Sequence, residues 1–170
     1  ANVTVGGQVI GDVAYGAVGT LSATGGVNGA VDFNNHAANL NIGGGTIGNI
    51  AQGANATINV TGGDINSLNA LTVGTLKISH NDAKVTLNAP NALTGNIEFT
   101  ANGEVIVNQP DGIITGNVDN TAGAVATGRL TFNNSGEVAG VIGGINPIKS
   151  LKVNGNSTVL LTPVILNASH

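Results

Sequence analysis

The sequence contains no cysteine, methionine or tryptophan, and its only aromatics are Tyr15, Phe33, Phe99 and Phe132. Without cysteine there is no disulfide scaffold and no thiolate metal site. With so few aromatics, the usual large fillers of a globular core are missing. Val, Ile, Leu and Ala must fill the interior alone, which suits a narrow bore of uniform cross-section. Charge is scarce too, at 8 % of residues, and the first Lys or Arg is Lys77. Residues 1–76 therefore carry only Asp12, Asp32 and Asp64. No basic patch suits a nucleic acid, and no polybasic stretch suits an anionic membrane. No apolar run approaches the ~18 residues of a membrane-spanning helix, and no signal-peptide pattern is present.

What the chain does have is glycine, at 27 residues, with asparagine close behind at 25. Both favour turns, glycine through positive φ and asparagine through its tolerance of the left-handed region. Hydrophobic residues reach 41 %. Low charge with many aliphatics is the opposite of a disordered composition, so the chain reads as folded, with many turns.

A short pattern dominates: apolar, any residue, apolar, then a turn-former. It occurs at Val3–Val5, Val31–Phe33, Leu40–Ile42, Ile58–Val60, Leu76–Ile78, Val85–Leu87, Ile97–Phe99, Val105–Val107, Leu130–Phe132, Leu151–Val153 and Val159–Leu161. Alternation with period two marks strands, here expected to be three to five residues long. The strand centres Asn41, Asn59, Lys77, Glu98 and Asn117 step by about 18 to 21 residues. Weaker apolar pairs lie between them, at Ile47/Ile50, Ile65/Leu68, Val85/Leu87 and Val105/Val107. A fixed period of about 20 residues with two or three strands marks a solenoid coil. At about 4.8 Å per coil, roughly eight coils make a rod on the order of 40 Å long.

Glycine adds a second repeat. Gly-x-apolar recurs at Gly45, Gly48, Gly63, Gly95, Gly116, Gly128 and Gly136. These glycines are expected to form corners, where a residue stacked on the next coil has little room for a Cβ. The prolines Pro90, Pro110, Pro147 and Pro163 fall mostly in turn-like contexts, where a missing N–H is tolerated.

From about residue 87 to 155 a series of short, related phrases follows. Ala92-Leu-Thr-Gly-Asn-Ile97, Ile114-Thr-Gly-Asn-Val-Asp-Asn-Thr121 and Gly128-Arg-Leu-Thr-Phe132 follow one another. Then come Gly136-Glu-Val-Ala-Gly-Val-Ile-Gly143, Asn146-Pro-Ile-Lys149 and Leu151-Lys-Val-Asn-Gly155. This stretch resembles the passenger region of rickettsial outer-membrane autotransporters, the surface cell antigen family, and more broadly Gram-negative autotransporter passengers. Residues 28–80 resemble it more loosely and residues 1–27 least. Arg129 stands where that wording usually has threonine. The resemblance implies a right-handed parallel β-helix displayed at the bacterial cell surface, tethered by a C-terminal membrane β-barrel outside this chain. It also implies adhesion to host cells and their invasion, through a protein receptor on the host surface.

Candidate chemistry is thin. Gly43-Gly-Gly-Thr-Ile-Gly48 matches a dinucleotide fingerprint, but that site needs a helix directly after it, and the turn-rich stretch 49–55 gives none. His36, His80 and His170 have no second histidine at metal-ligand spacing. Glu98 and Glu104 are the one carboxylate pair that could serve a polysaccharide-degrading enzyme, yet no arginine or aromatic cluster accompanies them. No repeated Gly-Asp turn supports a calcium ladder. Catalytic, cofactor and metal residues are therefore expected to be none. N-x-S/T triplets at Asn2, Asn55, Asn59, Asn133, Asn156 and Asn167 follow from composition and matter only in a eukaryotic secretory route.

The basic residues carry one modest expectation. Lys77 and Lys152 lie mid-strand and should point outward, with Lys84 and Lys149 near them in sequence. Together they would form a partner-contact face toward an acidic receptor, or simply protect strand edges. The whole reading is an all-β chain, a right-handed parallel β-helix (β-solenoid) of roughly eight coils. Residues 1–170 are expected to form a single β-solenoid segment, which the resemblance implies is part of a longer passenger. Its role is adhesive rather than catalytic, and open coil ends invite end-to-end self-association. The alternatives are a β-helical polysaccharide-degrading enzyme or depolymerase segment and a passive spacer.

Overall fold

The computed structural model describes residues 1–162; Pro163, Asn167 and His170 lie outside the described residues. The chain is a right-handed parallel β-helix of about eight coils. Three sheets form its faces. A ten-stranded sheet runs from Asn2–Val5 to Val159–Leu161, and a seven-stranded sheet from Gly26–Val27 to Ser150–Val153. A third face is a separate sheet in the early coils, through Val13–Ala14, Val31–Asp32 and Ile50–Ala51. In later coils it continues through Leu71, Leu93, Ile114, Val138 and Leu161, where its pairing merges with the ten-stranded sheet.

Every strand of one coil lies parallel to its counterpart in the next, so equivalent residues stack in columns. On the ten-stranded sheet one inward column runs Leu21, Leu40, Ile58, Leu76, Ile97, Val118 and Ile142. Ile65, Val85, Val105, Leu130 and Leu151 form another on the seven-stranded sheet. Most of these side chains are completely buried. Each Leu or Ile removed from water contributes about 1.5–3 kcal/mol before the entropy of ordering is set against it. The four aromatics all lie in this interior, and Tyr15 stacks on Phe33 with ring centroids 4.8 Å apart.

The coil lengthens along the chain. Equivalent residues are 18 or 19 apart from Val3 to Leu21, Leu40, Ile58 and Leu76. The step becomes 21 from Leu76 to Ile97 and Val118, then 24 to Ile142. On the seven-stranded sheet the longest step, 25 residues, is from Glu104 to Arg129. Residues 121–128 account for it: they form an excursion that leaves the coil and returns.

The glycine repeat has the role expected of it. At all seven of the Gly-x-apolar glycines, a Cβ would come closer than 3.0 Å to an atom of a neighbouring coil. Gly95, Gly116 and Gly140 stack on one another, and in each case the atom in the way belongs to the backbone of the preceding coil.

Three details differ from the sequence reading. The strands Gly53–Val60 and Leu71–Ile78 have eight residues and Leu93–Phe99 seven, because pairing continues around corners at Gly74 and Gly95 with only a local register shift. The residue stacked on Glu98 is Asp119, not Asn117; Asn117 stacks instead on Asn96, whose Oδ1 accepts its N–H at 3.0 Å. Finally, Ile65 shares its strand with buried Ser67, whereas Leu68 is 67 % exposed. Ser67 occupies the column between Ile47 and Leu87, and its hydroxyl donates to the Asn69 carbonyl at 2.8 Å. A hydroxyl satisfied by its own turn can sit in an apolar column.

Candidate functional site

Outward positions follow from the same columns. Residues that alternate with the buried aliphatics face solvent, and because the coils are in register, like residues meet like. Asn41 Nδ2 donates to Ser22 Oγ at 3.1 Å, and Asn59 Nδ2 donates to Asn41 Oδ1 at 3.2 Å. Ser79 Oγ then donates to Asn59 Oδ1 at 2.6 Å, and Thr100 Oγ1 to Ser79 Oγ at 3.0 Å. A second ladder runs along the seven-stranded sheet. Asn108 donates to Asn88, Asn133 to Asn108 and Asn154 to Asn133, at 2.8–2.9 Å. Such ladders fix register and orient amides without any ligand.

The basic residues do not share one face. Lys77 is on the ten-stranded sheet, stacked between Asn59 and Glu98. Lys84 is on the seven-stranded sheet, where the outward column reads Asp64, Lys84, Glu104, Arg129. Signs alternate there from coil to coil, which cancels the field at a distance. Lys152 is exposed on the last strand of that sheet, outside Thr131, and Lys149 is exposed just before it. Of the expected contact residues, Lys84, Lys149 and Lys152 belong to the side of the seven-stranded sheet, and Lys77 is separated from them on the ten-stranded sheet.

The other candidates are placed as follows. Glu98 faces out from the ten-stranded sheet and Glu104 from the seven-stranded one, so they cannot act on one bond as a carboxylate pair. Glu104 accepts a hydrogen bond from Thr131 Oγ1 at 2.6 Å. The stretch after Gly43–Gly48 enters the strand Ile50–Ala51, not a helix, so the phosphate-binding helix end of a dinucleotide site is missing. His80 sits in an exposed turn and accepts the Asp82 N–H at Nδ1, 3.2 Å away. Among the described residues no group of three His, Asp or Glu could hold a metal.

Three features stand out, the first two of them not read from the sequence. A polar groove of about 310 Å³ crosses the outer face of the ten-stranded sheet, lined by Asn39, Asn41, Thr57, Asn59, Thr75, Lys77 and Glu98. Stacking the sequence at its own period would have aligned most of these residues, but not their free hydrogen-bonding groups. The excursion 121–128 is pinned by Asn120, which is completely buried. Its Nδ2 donates its two hydrogens to the carbonyls of Gly123 and Val125, with the Pro147 carbonyl sharing one of them at 3.2 Å, and its Oδ1 accepts the Ala122 N–H. Val125 and Ile145 are left 81 % and 67 % exposed. Third, the bore opens at the N-terminal coil as an apolar mouth of about 580 Å³, lined by residues that include Val3, Val5, Val9, Val13, Tyr15 and Leu21. No family model, curated protein or solved structure matches this chain.

Proposed function

We propose that this chain is an adhesive segment of a Gram-negative autotransporter passenger, displayed at the bacterial cell surface. It engages a host-cell surface protein through its outer faces and contributes to attachment and invasion, without catalysis. Its link to the membrane is a β-barrel outside this chain. The observation that supports this reading best is the joining of family-like wording over residues 87–155 to a solenoid of about eight coils. Such a rod offers a long repetitive surface to a partner, and short irregularities on it supply specificity. The excursion 121–128, with exposed Val125 and Ile145, and the basic pair Lys149 and Lys152 are such irregularities.

A carbohydrate-active enzyme is less well supported, because Glu98 and Glu104 face different directions. A passive spacer is the competing role. The purified segment should bind host cells more strongly than a neighbouring segment of similar composition. Equal binding of the two would make this one a spacer. Within an adhesive segment, Lys149→Glu with Lys152→Glu should weaken binding, and unchanged binding would remove the basic pair from the contact.

A further inference from the structure

The polar groove on the ten-stranded sheet presents side-chain groups that the ladders of the solenoid leave unused. It spans four successive coils, from Asn39 and Asn41 to Glu98. Two outward columns shape it. Asn39, Thr57 and Thr75 form one column; Asn41, Asn59, Lys77 and Glu98 form the other. At about 310 Å³ it lies at the small end of ligand-sized sites.

Its chemistry is specific. Asn41 and Asn59 are held by the ladder, each with one Nδ2 hydrogen committed and one left over. Asn39, Thr57, Thr75, Lys77 and Glu98 make no side-chain hydrogen bond or ion pair among the described residues. Lys77 and Glu98 are register neighbours, yet their charges stay apart. The groove thus offers ordered amides, two free hydroxyls, one cation and one anion, with no apolar lining residue.

Each alternative ligand class lacks what it needs. An apolar ligand finds nothing to bury. A phosphate finds one lysine opposed by a carboxylate. An extended peptide finds no free strand edge, because the backbone beneath is paired on both sides. A sugar hydroxyl donates and accepts, so it satisfies either kind of group. The coil spacing of about 4.8 Å is also close to the rise per residue of an extended pyranose chain.

We propose that this groove binds a short neutral oligosaccharide laid along the rod axis, held by hydrogen bonds to Asn39, Thr57, Thr75, Lys77 and Glu98. Without an aromatic platform for stacking, a single site is weak, with a dissociation constant on the order of 1 mM. Many copies on one surface would raise the avidity. The proposal stands whether or not the chain is an adhesin.

The test is a titration of the isotope-labelled 170-residue chain, followed through its backbone amide spectra. The probes are the tetrasaccharides of cellulose, starch, xylan and mannan, with an oligogalacturonate as the acidic arm. At least one neutral probe should give saturable shifts confined to amides of residues 39–41, 57–59, 75–77 and 96–98. Thr57→Val with Thr75→Val removes both hydroxyls at half-exposed strand positions that valine suits, so the fold should persist. That variant should bind about thirtyfold more weakly, the loss expected for two hydrogen bonds. Three outcomes would overturn the proposal: no saturable shift with any neutral probe, binding of the oligogalacturonate alone, or undiminished binding by a folded double variant.

Discussion

Replacing Gly116 by alanine isolates what the stacked corner glycines contribute. Gly116 has φ 148°, and a side chain there carries a backbone penalty of about 1–2 kcal/mol. Its Cβ would also press into the carbonyl of Gly95 on the preceding coil. That obstacle is main chain, so no rotamer change relieves it, and Gly140 stacks against Gly116 from the other side. The coils must separate locally. The bonds at risk are Asn117 N–H to Asn96 Oδ1 at 3.0 Å and Ile97 N–H to Asn117 O at 2.8 Å. Each contributes about 1 kcal/mol net, so the total loss should be about 3–4 kcal/mol. Gly123→Ala is the control. It shares a positive φ, 135°, but a Cβ there meets nothing within 4 Å, so it should lose only the backbone part. Guanidinium unfolding followed by circular dichroism measures both. Amide exchange at Ile97 and Val118 shows whether the loss is local, as a stack of nearest-neighbour units predicts. If the two variants are equally destabilised, inter-coil crowding is not why glycine occupies these corners.

Asn120→Ala should free the excursion 121–128, because four hydrogen bonds converge on that one buried amide. A loss of about 3 kcal/mol is expected, with new protease cleavage within 121–128; an unchanged digestion pattern would contradict it. Tyr15 gives a pH test. Burial pushes its phenol up from 10.0 to about 12, opposed in part by a backbone hydrogen bond involving Leu21. Its contribution to stability is complete below pH 10 and declines as pH rises toward 12, because the unfolded chain releases a proton the folded chain keeps. Tyr15 is the only tyrosine, so phenolate absorbance of the folded protein reads it directly, and titration near the ordinary value would refute the burial.

Much of this architecture was legible because a solenoid repeats its own rules. A period of about 20 residues and recurrent corner glycines are local signals, and the columns of Leu40, Ile58 and Leu76 follow from them. Failures came where a coil departs from its neighbours. Asn117 looked like a strand centre because it repeats the Gly-Asn wording of Asn96, but the extra corner residues put Asp119 over Glu98. Leu68 looked buried because it is apolar, yet the strand's alternation places Ser67 inside. The lysines looked like a patch because sequence proximity says nothing about which sheet a residue joins: Lys77 and Lys84 are seven positions apart and lie on different faces. The groove was invisible for a different reason. Whether Asn39 or Thr75 has a free hydrogen bond depends on what every neighbouring ladder residue has already taken.

The steady register has a kinetic consequence. Each strand pairs with one only 18 to 25 residues away, so the mean separation of contacting residues is about 0.12 of the chain length, nearer to mixed α/β domains than to β-sandwiches. Each finished coil is a ready edge for the next, and the loop to be closed stays nearly the same at every step. Adding coils to such a chain would lengthen the rod without enlarging the entropic barrier to placing any one of them. Folding could then proceed from one end as the polypeptide emerges, at a pace set by a single coil.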